Sequence, residues 1–358
     1  MKCLILIGLL ASWCSFAASN PVLVVKHDLE VVDVAFSPDG KSVATASGDS
    51  TARVTEVESG RTLEVINHDE DVRGLAFSPD GTRLLTGSSD QIAKVTDLTS
   101  GKTITTIRHP DAVSCVAYSP DGQMVATGTH NGLVMVTDVE SGGVVRKITV
   151  PISSTIDRDY VFTVSFSPDS KLILAGAMQG NSSLSATVTD IQTGRTLLTS
   201  SHFSGTRSAS FSPDGKSILT SGRDGTARVT HIESGKKLLE IKHEHWVTNA
   251  VFTPDGKKIL TGSFDTTARV TEFPSGKTLM EFHSKEGRVV RADLTPDGTR
   301  VLLADADDSA RLIDLDSGDT LQEIMMPGSV VSISFSLDGK RLVTGGYDRE
   351  ARVYDLAI

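Results

Sequence analysis

Along most of the chain, short apolar-rich runs and polar turn segments follow one another at regular intervals. The first runs are VVDVAF (31–36), SVATAS (42–47), ARVTEV (52–57) and TLEVI (62–66). All are rich in β-branched residues, and helical periodicity appears nowhere, so the pattern predicts strands. Between the first two runs stands S-P-D-G. There Pro presets a turn torsion, Asp can bond its own backbone and Gly accepts a positive φ. The tetrapeptide begins at 37, 78, 119 and 212, returns as SPDS at 167 and TPDG at 253 and 295, and ends as SLDG at 336. Successive starts differ by 41, 41, 48, 45, 41, 42 and 41 residues, a period that suits a four-stranded propeller blade. Ser-Gly at 59, 100, 141, 234, 275 and 317, with Thr193-Gly194 in one unit, marks the turn from third strand to fourth.

Eight units of this kind predict an all-β fold, an eight-bladed β-propeller of four-stranded antiparallel blades. The last unit stops at Ile358 after its third strand, while VLVVKHD (22–28) matches the fourth-strand segment LEVINHD (63–69). The N-terminal strand is therefore expected to complete the last blade, closing the ring and pairing an otherwise open edge.

The first 19 residues, MKCLILIGLLASWCSFAAS, carry one lysine, an apolar run and then small residues, the pattern of a signal peptide cleaved after Ala17 or Ser19. This divides the chain into a signal peptide over 1–19 and a single domain over 20–358, exported to the periplasm or the extracellular space. Cys3 and Cys14 leave with the leader, so Cys115 remains without an intrachain disulfide partner. A formal net charge of -10 argues against nucleic acid as the partner. No later segment is apolar for long enough to insert the mature chain into a membrane, and a monomer is expected in isolation.

The units resemble WD repeats: a His near the end of the fourth strand, V-x-x-V-A-F-S-P-D-G, a polar second strand, an Asp, then A-R-V-T-D/E where that family has V-R-V-W-D. The resemblance spans about residues 21–358. It implies a hydrogen-bonded set in each blade: His27, Thr45, Asp49 and Thr55; His68, Thr86, Asp90 and Thr96; His202, Thr220, Asp224 and Thr230; His243, Thr261, Asp265 and Thr271. Threonine replaces the family's tryptophan in six blades (Thr137 and Thr189 complete the series), and Ile313 and Tyr354 fill that place in the last two. Each Thr hydroxyl is expected to bond the second-strand Thr or the Asp, with neighbouring blades packed closer.

Repetition around a ring favours structural roles for these His, Asp and Thr residues. No G-x-S-x-G, H-E-x-x-H, C-x-x-C-H or phosphate-binding glycine loop occurs, so no catalytic residue, metal site or cofactor is expected. The carboxylates of 305–319 lack the glycine and glutamate of a calcium loop, and HEHW (243–246) has too few ligands for zinc. The cations Arg53, Lys94, Arg228, Arg269, Arg311 and Arg352 recur at one place in six of the eight blades, as an ion-paired strand face or a ligand-binding stripe.

Function is expected where the repeat is broken. The fourth blade lacks the His, has Ala175 and Ser183 in place of Thr and Asp, and carries longer segments at 151–160 and 177–185. By resemblance, partners bind the rim formed by the residue before each first strand and the residue before each Asp. Those places hold Glu30, Asp71, Tyr160, Trp246, Arg288, His130, Arg223, Phe264 and Tyr347. Of these, Tyr160, Arg223, Trp246, Phe264, Arg288 and Tyr347 form the expected partner-binding set, since Trp, Tyr and Arg dominate binding energy. The reading is an exported, non-enzymatic scaffold for a protein or peptide. An exported propeller enzyme or electron-transfer protein, and a glycan-binding propeller, stay open as alternatives.

Overall fold

The computed structural model describes residues 20–150, 160–178, 184–203, 205–284, 287–306, 308–327 and 330–357. The leader expected over 1–19, most of 151–160, and 179–183 with Ser183 lie outside the described residues.

Among the described residues thirty-two strands form eight antiparallel four-stranded sheets, of which the last takes in a strand from the start of the chain. The first blade is β2 (Val31–Phe36), β3 (Ser42–Ser47), β4 (Thr51–Glu56) and β5 (Thr62–Asn67), paired in that order. The last is β30 (Val330–Phe335), β31 (Arg341–Gly346) and β32 (Glu350–Asp355), completed by β1 (Leu23–Lys26), with Val25 opposite Ala351. The two chain ends thus close the ring. Around that joint Val25, Val31, Val34, Phe36, Val343 and Val353 are buried together, so closure rests on apolar burial as well as on strand pairing.

The turn tetrapeptides fold by local chemistry. Ser37 Oγ donates to Asp39 Oδ1 at 2.7 Å and accepts from Ser42 N–H at 3.0 Å, while Lys41 N–H donates to Asp39 Oδ1 at 3.1 Å. Gly40 sits at φ 69°, which an L side chain adopts at a cost. The same Ser/Thr-to-Asp bond forms in the other seven blades, from Ser78 to Ser336.

One feature is absent from the apolar pattern. Each first strand shifts register near its start, between Val31 and Asp33 in blade one and at the matching place in the other seven. Such a bulge re-aims side chains. The residue after it staples blades together: Asp33 accepts from Ser332 Oγ and from Leu75 N–H, each at 3.0 Å, joining blades eight, one and two. Asn249 Oδ1 accepts from Ala292 N–H at 3.0 Å, and Ser208 Oγ accepts from Ala250 N–H at 3.1 Å.

Candidate functional site

The rim is built on the His sets. In blade one the carboxylate of Asp49 can only accept, so His27 Nδ1–H donates to it at 2.8 Å and Nε2 accepts from Thr45 Oγ1–H at 2.8 Å. Asp49 also accepts from Asp28 N–H, Thr51 N–H, Thr51 Oγ1–H and Arg53 Nη2. Burial would raise its pKa, but the bonds from Thr51, the Asp28 amide and His27 outweigh it and hold the group at about 2. His68 with Asp90 and Thr86, His202 with Asp224 and Thr220, and His243 with Asp265 and Thr261 repeat the geometry at 2.8–2.9 Å. In blade three Asn131 takes the Asp place, and buried His109 has neither ring nitrogen bonded among the described residues.

The Thr in the tryptophan place does not join these sets, which corrects the expectation for Thr55, Thr96 and Thr271. Their hydroxyls, with those of Thr137 and Thr189, are buried without a hydrogen-bond partner among the described residues. Register explains it. Thr55 stands opposite Val43, whereas Thr45 stands opposite Arg53, so the two threonines are diagonal neighbours. That diagonal is roughly 7–8 Å, a span an indole N–H can bridge and a hydroxyl on Cβ cannot. The hydroxyl that reaches the Asp comes instead from the start of the third strand, from Thr51, Thr226 and Thr267 at 2.6–2.7 Å.

The recurring third-strand cations tie blades together. Arg53 donates to Lys26 O, Lys94 to Asn67 O, Arg228 to Ser201 O, Arg269 to Lys242 O and Arg352 to Pro327 O, each a carbonyl of or just beyond the fourth strand of the preceding blade. The arginines are also ion-paired: Arg53 with Asp49, Arg228 with Asp224 and Glu240, Arg269 with Glu281, Arg311 with Asp305, and Arg352 with Asp348 and Glu350. They form a paired structural face.

The rim arginines of blades five to seven behave differently. Phe264 N–H donates to Trp246 O at 2.9 Å and so sets the two side chains beside each other. Their rings stack at 5.6 Å and 24°. Arg223 lies over the Trp246 ring at 4.9 Å, Arg288 over Phe264 at 5.0 Å, and Arg207 over Trp246 at 5.7 Å. His245 packs against both rings, while His243 is fully engaged by Asp265 and Thr261. None of Arg207, Arg223 and Arg288 has a carboxylate partner among the described residues. Burial and then the Arg223 charge push the Arg207 pKa below its ordinary value.

Of the six expected contact residues, Arg223, Trp246, Phe264 and Arg288 thus meet in one stack. Tyr347, 65 % exposed, lines a cavity of about 540 Å³ together with Arg207, Asn249 and Arg291, residues of or beside the first strands of blades five to eight. Tyr160 stands apart, tilted against His130 at 5.3 Å. Arg207, Asn249 and Arg291 escaped the sequence reading, although polar residues inside the first-strand runs TRSASF, VTNAVF and VVRADL were a usable signal. Cys115 is half-buried, near Val161 O, with its thiol pushed up to about 12 by burial. Among the described residues no three His, Cys, Asp or Glu side chains are grouped to hold a metal.

The fold is similar to that of the computationally designed Ika8 protein (TM-score 0.80, 21% identity, covering 94% of this chain and 99% of that one). It is also similar to the C-terminal WD40 domain of Sif2 (TM-score 0.78, 17% identity, 96% and 99%). At such identities the likeness shows the fold alone. No curated protein matches the chain. The family described as WD domain, G-beta repeat matches residues 19–55, 60–97, 101–138, 191–230, 235–271 and 320–355; most of the fourth and seventh blades is unmatched yet forms complete sheets. With six repeats spread over more than half of its length, the chain belongs to the WD domain, G-beta repeat family.

Proposed function

We propose that this protein is an exported, non-enzymatic scaffold that presents the Arg223–Trp246–Phe264–Arg288 arc of its rim to a protein or peptide partner. The observation that carries the reading is the contrast between two classes of arginine. Those on the third strands are paired and tie blades together, whereas those on the arc lie on aromatic rings and meet no carboxylate among the described residues. Aromatic and Arg side chains grouped on a rigid rim are what a binding hot spot needs, and WD40 propellers generally serve as protein-interaction scaffolds. Export is supported by the leader-like first 19 residues.

The test is affinity capture from the native envelope and culture medium with the protein and its Trp246→Ala, Phe264→Ala double variant, both checked for equal thermal stability. Capture of a defined partner by the parent and its loss from the variant is the expected result. Equal capture by both rejects the arc. For export, intact-mass analysis of the protein from its native source should show an N-terminus near residue 20, and an intact leader in a cytosolic fraction contradicts it.

A further inference from the structure

We infer that the segment bound by this arc is acidic: a peptide carrying Asp or Glu side chains that meet Arg207, Arg223 and Arg288, with an apolar side chain entering the adjoining cavity. The inference rests on the scaffold reading above and names the chemistry of the partner.

Charge carries it first. In a chain of net charge -10, three guanidinium groups gather on one arc without carboxylate partners among the described residues, beside one exposed acid, Glu244. The opposite arc of the same rim is acidic, with Asp28, Asp69 and Glu70 exposed. At the place that Arg207 occupies in blade five, blade two has Arg73, and that residue is neutralised by Asp71 at 2.6 Å. The same repeat position is thus paired on one side of the ring and open on the other.

Geometry then favours more than one carboxylate. Arg207 and Arg223 share the Trp246 ring, while Arg288 lies over the neighbouring Phe264 ring, so the cations are spread over two stacked rings. A guanidinium held over a ring still has N–H groups to donate, which suits a carboxylate approaching the exposed Arg288 from solvent. Arg207 also lines the cavity of about 540 Å³. Arg291 there is paired with Asp293 and Asp305 with Arg311, and Val251, Val331 and Ile333 give the cavity an apolar wall. It suits an apolar side chain next to the acidic ones.

The test pans a random-octapeptide display library against the full chain at about 0.15 M salt. Enriched sequences are then titrated through Trp246 fluorescence at about 0.15 M and about 0.5 M salt. Enrichment in Asp and Glu with at least one apolar residue is expected. Arg223→Gln and Arg288→Gln should each weaken binding roughly tenfold or more, as should Arg207→Gln, while Arg73→Gln leaves it unchanged. Arg288 is exposed, so its variant remains informative whatever Arg207 contributes to packing. Neutral or basic enriched sequences, no enrichment, or equal binding by the three arc variants overturns the inference. Phosphoserine versions of the enriched peptides that bind far more tightly than the Glu versions would also overturn it, in favour of a phosphopeptide. A partner captured through Trp246 and Phe264 but indifferent to the arginines would sink the acidic segment alone and leave the scaffold reading standing.

Discussion

Replacing Thr55 by Val and, separately, Thr45 by Val makes the same covalent change at two buried positions of the first blade, and the two should move stability in opposite directions. Both residues are β-branched and lie in strands, so propensity cancels in the comparison. The Thr55 hydroxyl is buried without a partner among the described residues. A buried, unbonded hydroxyl costs roughly 1–3 kcal/mol, and Thr55→Val removes it at nearly constant shape, so a gain of about 1–2 kcal/mol is expected. Thr45 is bonded to His27 Nε2 at 2.8 Å. Its replacement leaves a buried ring nitrogen unsatisfied, for a loss of about 1–3 kcal/mol. Thr55, Thr96, Thr137, Thr189 and Thr271 lie in separate blades, so combining the five Val substitutions should add gains and raise the melting temperature by about 5 °C or more. Urea and thermal midpoints of the single, fivefold and Thr45 variants measure this. A Thr55→Val protein less stable than the parent by about 1 kcal/mol, or a neutral Thr45→Val, refutes the register argument.

Acid should weaken the protein in two stages. Burial lowers the pKa of His27, His68 and His243 from 6.5, against the pull of their Asp partners. Their contribution is therefore full above 6.5 and is lost as pH falls through that value toward the folded ones. Asp49 and Asp265, held at about 2 against an ordinary 3.8, contribute fully above 3.8 and lose that contribution as pH falls toward 2. Urea midpoints should fall steadily with acidification, and a midpoint that rises between about pH 7 and about pH 5 contradicts the sign. Burial, then Lys147, pushes His109 down to about 4, so His109→Leu should raise the midpoint more at about pH 5 than at about pH 8; equal effects at both argue against it. Thr266 is a β-branched residue at φ 77°, and Thr266→Gly should stabilise by about 0.5–1 kcal/mol once the entropy of the unfolded glycine is subtracted. A destabilised variant in thermal melts would mean that the turn is not strained.

What could be read from the sequence is what local chemistry determines. The Ser-Pro-Asp-Gly turns fold through bonds within six residues, such as Ser37 to Asp39 and Ser42, so eight of them reveal eight blades. The likeness of VLVVKHD to LEVINHD exposed the ring closure, because a strand that matches fourth strands can pair only where one is missing. The Thr55 hydroxyl was misplaced because residue type says nothing of a cross-strand diagonal. Arg207 was overlooked because the bulge near the start of each first strand is a register shift, which leaves no mark in the apolar pattern. Trp246, Phe264, Arg223 and Arg288 are legible in the sequence as separate rim positions; their stacking depends on the Phe264-to-Trp246 backbone bond, a contact between residues that flank two different strands.

The partner is expected to sit on the rim of blades five to seven. Hydrogen–deuterium exchange of the protein with and without its captured partner tests it most directly. New protection should concentrate at 205–208, 222–225, 245–248, 264–267 and 287–290. Protection confined to the acidic arc at 28–30 and 69–73, or to the outer fourth strands, would contradict it.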